Sequence, residues 1–176
     1  GENGAGKSTL IKAISGAISY DRGTIEIDGE TFQRLTPELA IAKGVQTIYQ
    51  ENALVSHMSI AENIFIGQER LLSGGFVSRK KTVDDARKLI EEYEIDLDPT
   101  RMVYSISVAE EQYVKILKVL VRRSKILILD EPTSMFNTKD AQQVLELVKR
   151  IRARGIGIVY ISHHLKEVAQ IANRIT

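Results

Sequence analysis

The chain opens on Gly1-Glu2-Asn3-Gly4-Ala5-Gly6-Lys7-Ser8-Thr9, which satisfies the spacing G-x-x-x-x-G-K-[ST] at Gly1, Gly6, Lys7 and Ser8. No other feature limits the possible folds as strongly. Glycines at positions 1, 4 and 6 let backbone N–H groups turn inward around a run of phosphates, and a helix starting at Ser8 adds the positive end of its dipole. Lys7 supplies a point charge to the β- and γ-phosphates, and the Ser8 hydroxyl a ligand for Mg²⁺. Residues Gly1 to Thr9 are therefore the candidate phosphate contacts, in a loop that normally joins a buried strand to a helix.

The rest of the chain alternates between strand and helix periods, as an α/β fold requires. Thr24-Ile25-Glu26-Ile27 running into Asp28-Gly29 predicts a hairpin, and Thr36-Pro37-Glu38 the start of a short helix. Val45 to Tyr49, Lys125 to Asp130 and Ile156 to Ile161 are the strand candidates; Asp140 to Arg154 is helical, with Gly155 as C-cap. Ser59-x-x-Glu62, Thr82-x-x-Asp85 and Ser107-x-x-Glu110 fit the capping-box pattern. The spacing predicts a core over 1–50 and 124–176, interrupted by a helical subdomain over 51–123 with a break at Ser73-Gly74-Gly75. The strand expected before Gly1 is absent, and Asn173-Arg174-Ile175-Thr176 reads as the start of another. The expectation is an internal fragment of a longer protein.

Composition narrows the function classes. With 24 Lys and Arg against 23 Asp and Glu, the net charge of +1 gives no global attraction to nucleic acid or anionic lipid. The absence of Cys excludes disulfide, zinc-thiolate and iron–sulfur sites, and three His leave little for a His-rich metal cluster. Apolar runs such as Ile126 to Leu129 fall far short of the ~18 residues a bilayer span needs. These features point to a soluble, cytoplasmic domain. The basic groups Arg79-Lys80-Lys81 and Lys149, Arg150, Arg152, Arg154 lack an aromatic platform and read as solvated surface.

Two strand ends carry further chemistry. Leu129-Asp130-Glu131-Pro132-Thr133 ends an apolar run in two acids whose side chains point to opposite sides. Asp130 is placed to hold Mg²⁺ and Glu131 to act as general base on a water. Ser162-His163-His164 follows the last strand candidate. His163 is placed to reach a terminal phosphate and orient the water, and His164 reads as a surface residue.

In order along the chain, the phosphate loop, Gln50, Ile106-Ser107-Val108-Ala109-Glu110-Glu111-Gln112, Leu129 to Thr133 and Tyr160-Ile161-Ser162-His163 resemble an ABC-transporter ATPase. Met58 to Glu69 and Ile158 to His163 are similar to the ribose, galactose and xylose importer branch, in its N-terminal half. The resemblance implies a P-loop core of mainly parallel strands with an inserted helical subdomain, and hydrolysis of ATP with Mg²⁺ coupled to sugar uptake at the cytoplasmic face of the membrane. Lys7, Gln50, Glu131 and His163 take the catalytic roles, with Ser8, Gln50 and Asp130 around the metal. Gln50 resembles the residue that senses the γ-phosphate and Mg²⁺ and relays this to the permease. Ser107 and Ala109 lie in the segment that completes the ATP site of the opposite half. The implied partners are a second nucleotide-binding half fused in the same chain, permease subunits and, indirectly, an external sugar-binding protein, but no nucleic acid. A soluble ATPase of DNA repair or translation needs long insertions between Gln50 and Ser107, and none occur. A regulatory module without hydrolysis is opposed by Glu131 and His163.

Three features depart from the family pattern. Ile-Ser-Val-Ala-Glu replaces Leu-Ser-Gly-Gly-Gln, so Glu110 sets a carboxylate near a partner's phosphate unless it folds back onto the Ser107 amide. Met135-Phe136-Asn137 replaces Ala-Leu-Asp. The residue that stacks on adenine lies upstream of Gly1.

Overall fold

The computed structural model describes residues 6–49, 53–69 and 77–175. Gly1 to Ala5, Gln50 and Ser73-Gly74-Gly75 lie outside the described residues. Three parallel strands, β3 (Val45–Ile48), β4 (Ile126–Asp130) and β5 (Gly157–Ile161), form a sheet in that order, with Val45 beside Ile126 and Ile126 beside Gly157. The central strand is apolar at successive residues because both faces are covered. Leu127 and Leu129 enter a cluster with Ile64, Val114, Leu117 and Leu145, whereas Ile128 joins Ile11, Ile27 and Ala40 on the other side.

The helices over that frame are α1 (Lys7–Ile14), α2 (Pro37–Ala42), α3 (Ile60–Phe65), α4 (Arg79–Glu92), α5 (Val108–Leu120), α6 (Thr138–Ala153) and α7 (Leu165–Ile171), with a 3-10 turn at Val103–Ser105. A hairpin of β1 (Ile25–Ile27) and β2 (Glu30–Phe32) turns at Asp28 and Gly29, both with positive φ, as the sequence pattern requires. Ion pairs of Lys43 with Glu30 and of Lys125 with Asp28 hold the hairpin to the sheet. α1 ends where Gly16 takes φ +75°; a Cβ there would meet the Thr36 carbonyl carbon at 2.4 Å, so only glycine lets the start of α2 pack this close.

Local chemistry explains most helix ends. Thr36 accepts the Leu39 N–H with Pro37 at N1, and complete capping boxes form at Ser59–Glu62 and Ser107–Glu110. The pattern at Thr82–Asp85 is corrected. Ser78 caps α4 by accepting the Lys81 N–H, while Thr82 lies inside the helix and donates its hydroxyl to the Ser78 carbonyl. Residues 173–175 form no strand, and α7, which no sequence signal announced, precedes them.

Among the described residues of 53–123 the regular structure is helical. These helices share one apolar cluster with β4 and α6, so the inserted segment and the sheet pack as a unit. Asn63, fully buried, exchanges hydrogen bonds with the Val55 N–H and C=O at 2.8 and 3.0 Å and fixes the path of residues 53–58. Three arginines at the end of α6 and just past it bind neighbouring backbone. Arg150, Arg152 and Arg154 donate to the carbonyls of Glu94, Ile171 and Glu92, and Arg154 stacks on Tyr93.

Candidate functional site

Parallel sheets bind ligands beyond the carboxyl ends of their strands, and the predicted side chains gather there. β4 delivers Asp130 and, one residue past its end, Glu131; the loop after β5 delivers His163, and the start of α1 delivers Lys7 and Ser8. Glu131 leaves the strand with φ +48°, and its N–H still donates to the Ile161 carbonyl at 2.9 Å. That bond turns its side chain toward His163, whose Nδ1 lies 3.3 Å from Glu131 Oε1. A non-glycine residue in this region costs about 1–2 kcal/mol, held in place by the paired strand ends. Glu131→Gly and Glu131→Ala both lose the carboxylate, but glycine alone relieves the backbone. The glycine variant is expected to be the more stable by about 1 kcal/mol in denaturant titrations, and equal stability of the two would deny the strain.

Burial, and then the neighbouring charge of Glu131, push the Asp130 carboxyl above its ordinary range, and Lys7 pulls it back. Asp130 is thus a carboxylate in want of a cation, and Lys7 stands within reach of its field. A raised folded-state pKa means that the folded protein holds the proton more tightly, so Asp130 favours folding at low pH and opposes it once ionised. Without ligands, Asp130→Asn is therefore expected to raise Tm at pH 7, with the gain shrinking to nothing as pH falls below the carboxylate range. A variant that melts lower than the parent at pH 7 would contradict this.

The start of α1 suits an anion. Gly6 occupies the N-cap with φ +82°, contributes no side-chain cap, and has nothing within 4 Å of where a Cβ would stand. The first helical hydrogen bond returns from the Leu10 N–H to the Gly6 carbonyl, leaving the first-turn N–H groups directed out of the helix end. Ser8 and Thr9 are exposed on that turn. Among the described residues no group of three His, Cys, Asp or Glu side chains gathers around a metal position. Asp130, within the field of Lys7, and the exposed Ser8 hydroxyl on the first turn of α1 are oxygen donors of the kind a divalent ion takes.

Ser107 and Ala109 lie at the start of α5, where Val108 between them lines a small pocket together with Asp130 and Glu131. Ser107 is exposed, but its hydroxyl already accepts the Glu110 N–H, and Ala109 is buried. Glu110 folds back as the capping pattern allows, accepting from the Ser107 N–H and from Arg101, each at 2.7 Å. Burial raises its carboxyl, but the Ser107 bonds and Arg101 outweigh it and hold the group below its ordinary range. Asn137 accepts the Asp140 N–H at 3.0 Å and caps α6, while Met135 is 80% exposed. His164 is an exposed residue stacked at 4.0 Å on His163. A cavity of about 500 Å³ lies elsewhere, between α2, β3 and α5, lined by Gln46, Thr47, Tyr49 and Ala53; it holds none of the four charged residues.

Three hydroxyl side chains and one acid escaped the sequence reading: Thr133, Tyr160, Ser162 and Glu167, joined in one hydrogen-bond network. No local signal finds them, since they meet only when β4, β5 and α7 are assembled.

The family model for ABC transporters matches residues 1–134. The chain belongs to the ABC transporter family. Among its relatives, the ribose import ATP-binding protein RbsA 2 of Escherichia coli O157:H7 is 42% identical over 176 residues, covering all of this chain and 35% of that protein. A putative ribose/galactose/methyl galactoside import ATP-binding protein 3 of Burkholderia ambifaria is 44% identical over 177 residues, covering all of this chain and 34% of its own length. The chain thus spans about a third of the curated relatives it matches. In structure it is similar to a nucleotide-free ATP-binding cassette from an ABC transporter, with TM-score 0.78, 23% identity and coverage of 96% and 70% of the two chains. The ADP conformation of another such cassette gives TM-score 0.80 at 24% identity, with the same coverage. At these identities the likeness speaks for the ABC ATPase fold.

Proposed function

We propose that this chain is the N-terminal nucleotide-binding half of an import ATPase, which couples hydrolysis of Mg·ATP to uptake of a monosaccharide through a membrane permease. The observation that carries the reading is the placement of Glu131, with Oε1 3.3 Å from His163 Nδ1, at the strand ends that face the start of α1. The full-length match to proteins named for ribose and galactose import supports the substrate class. Residues 1–50 and 124–176 act as the P-loop core and 51–123 as the helical subdomain. The relatives' greater length supports a second nucleotide-binding half in the same chain.

Gly1 to Thr9 wrap the phosphates, with Lys7 as their point charge. Ser8, Gln50 and Asp130 hold Mg²⁺, which when bound neutralises phosphate charge. Glu131 takes the proton of the attacking water, and His163 holds Glu131 and the water in line with the γ-phosphorus. No covalent intermediate on the protein is required; positioning and charge do the work. Ser107 and the backbone N–H of Ala109 present the start of α5 to the nucleotide of the opposite half. Gln50 reports nucleotide to the permease. Its place is peripheral, on the cytoplasmic face, with permease subunits and an external sugar-binding protein as partners and no nucleic acid; among the described residues no helix is long and apolar enough to cross a membrane.

Reconstitution of the full-length protein with its permease in vesicles tests the reading. Monosaccharide uptake driven by ATP and lost in Glu131→Gln is the expected result. Hydrolysis without uptake of any monosaccharide would refute the transport role.

A further inference from the structure

The Glu131–His163 pair rests on a network that the hydrolytic reading above does not use. One oxygen of Glu167, Oε2, receives the hydroxyls of Thr133 at 2.6 Å, Tyr160 at 2.9 Å and Ser162 at 3.2 Å. These donors come from three places: the turn after β4, the body of β5 and the loop after β5. Thr133 stands two residues after Glu131, and Ser162 directly precedes His163. We infer that Glu167 is a positioning residue for hydrolysis, with one carboxylate oxygen fastening the turn that carries Glu131 to the loop that carries His163. This assignment rests on the reading of the chain as an ATPase.

Hydrogen inventory gives the network a direction. Each hydroxyl owns one hydrogen. Thr133 and Tyr160 both spend theirs on Glu167, so their mutual approach at 3.2 Å adds no further donor. Ser162 spends its hydrogen on Glu167 and its lone pair on the His164 N–H at 2.9 Å. Burial pushes the Tyr160 phenol up, which keeps it a donor. Among the described residues the three hydroxyls thus share Glu167 as their acceptor, and Thr133, buried at 2% exposure, is left with the Tyr160 oxygen at 3.2 Å when the carboxylate is removed.

Comparison with the other helices shows that Glu167 gives up its usual task. It occupies the third position of α7 after the N-cap His164, the place held by Glu62 in α3 and Glu110 in α5. Those two glutamates reach back to the N-cap backbone and complete capping boxes. Glu167 does not; Ser162 takes the His164 N–H instead, and the Glu167 carboxylate turns to Thr133, Tyr160 and Ser162. The helix start thus forgoes a stabilising contact, and the acid serves the strand ends. At 3.3 Å the Glu131–His163 contact is long, so its alignment depends on where the two backbones are held.

The test uses the full-length protein. Glu167→Ala is expected to lower kcat about tenfold or more while KM and the calorimetric Kd for Mg·ATP stay within about twofold, because the loss is one of alignment. Glu167→Gln keeps an acceptor oxygen and is expected to recover most of that loss. Thr133→Val removes one donor and is expected to lower kcat with the same split. The double variant Glu167→Ala/Thr133→Val is expected to be no slower than Glu167→Ala alone, since both act through one unit. Unchanged kcat in Glu167→Ala, a parallel loss of affinity and kcat, no rescue by glutamine, or multiplying effects in the double variant would each overturn the assignment. If Glu167→Ala fails to fold, Thr133→Val decides, and parental kcat in that variant overturns it. If the unsubstituted protein hydrolyses ATP and Glu167→Ala matches it, only the Glu167 assignment falls; if the unsubstituted protein does not hydrolyse ATP, the enzymatic reading falls with it.

Discussion

Glu131→Gln in the full-length protein is expected to bind Mg·ATP as the parent does and to lose about 10²-fold or more of its turnover. The substitution is nearly isosteric, so the φ of +48° and the bond from its N–H to the Ile161 carbonyl are both retained. The amide oxygen can still accept from His163 Nδ1. What disappears is the group that takes a proton from water, and that affects a barrier rather than a ground state. Affinity measured by calorimetry and phosphate release measured at saturation separate the two. Turnover at the parental rate would show that Glu131 is not the base. His163, 3.3 Å away and about half exposed, would then be the next group to replace. Loss of affinity alongside turnover would place Glu131 in the binding of nucleotide.

Features governed by neighbouring residues were legible in the sequence. Asp28-Gly29 turns a hairpin, Thr36-Pro37 starts α2, and Ser59 and Ser107 cap α3 and α5, because each device acts within four residues. The start of α4 was misplaced for an equally local reason. The pattern looks for an acid three residues after Ser or Thr, and Ser78 caps with Lys81 in that place. Asn137, which stands where the family pattern has Asp, caps α6 with its side chain, another contact made within four residues. Asp130, Glu131 and His163 were visible because a strand ending in acids or His is a one-dimensional signal. The positive φ of Glu131 was not, since it occurs where the N–H pairs with β5 across the sheet, a partner distant in sequence. Glu167 was invisible for the same reason in stronger form. Its three donors lie 34, 7 and 5 residues away and meet only in the folded chain.

Lys7→Ala is expected to weaken Mg·ATP binding at least tenfold, or about 1.4 kcal/mol, and the loss is expected to grow as pH falls. The first part follows from removing the one side-chain cation placed at the start of α1 beside the glycine turn. The second follows from Asp130, whose carboxyl is already pushed up by burial and by Glu131 and is drawn down by Lys7. Without that ammonium, Asp130 holds its proton to higher pH. A protonated Asp130 cannot hold Mg²⁺, so acidification removes a second contact that the parent keeps. Lys7→Arg keeps the charge but not the compact shape of the ammonium. It is therefore expected to retain the parental pH dependence even where its affinity is reduced. Calorimetric titration of the full-length protein across the mildly acidic range reads both effects. Unchanged affinity in Lys7→Ala would reject the phosphate loop itself. A tenfold loss that stays constant with pH would keep the loop but break the electrostatic link between Lys7 and Asp130.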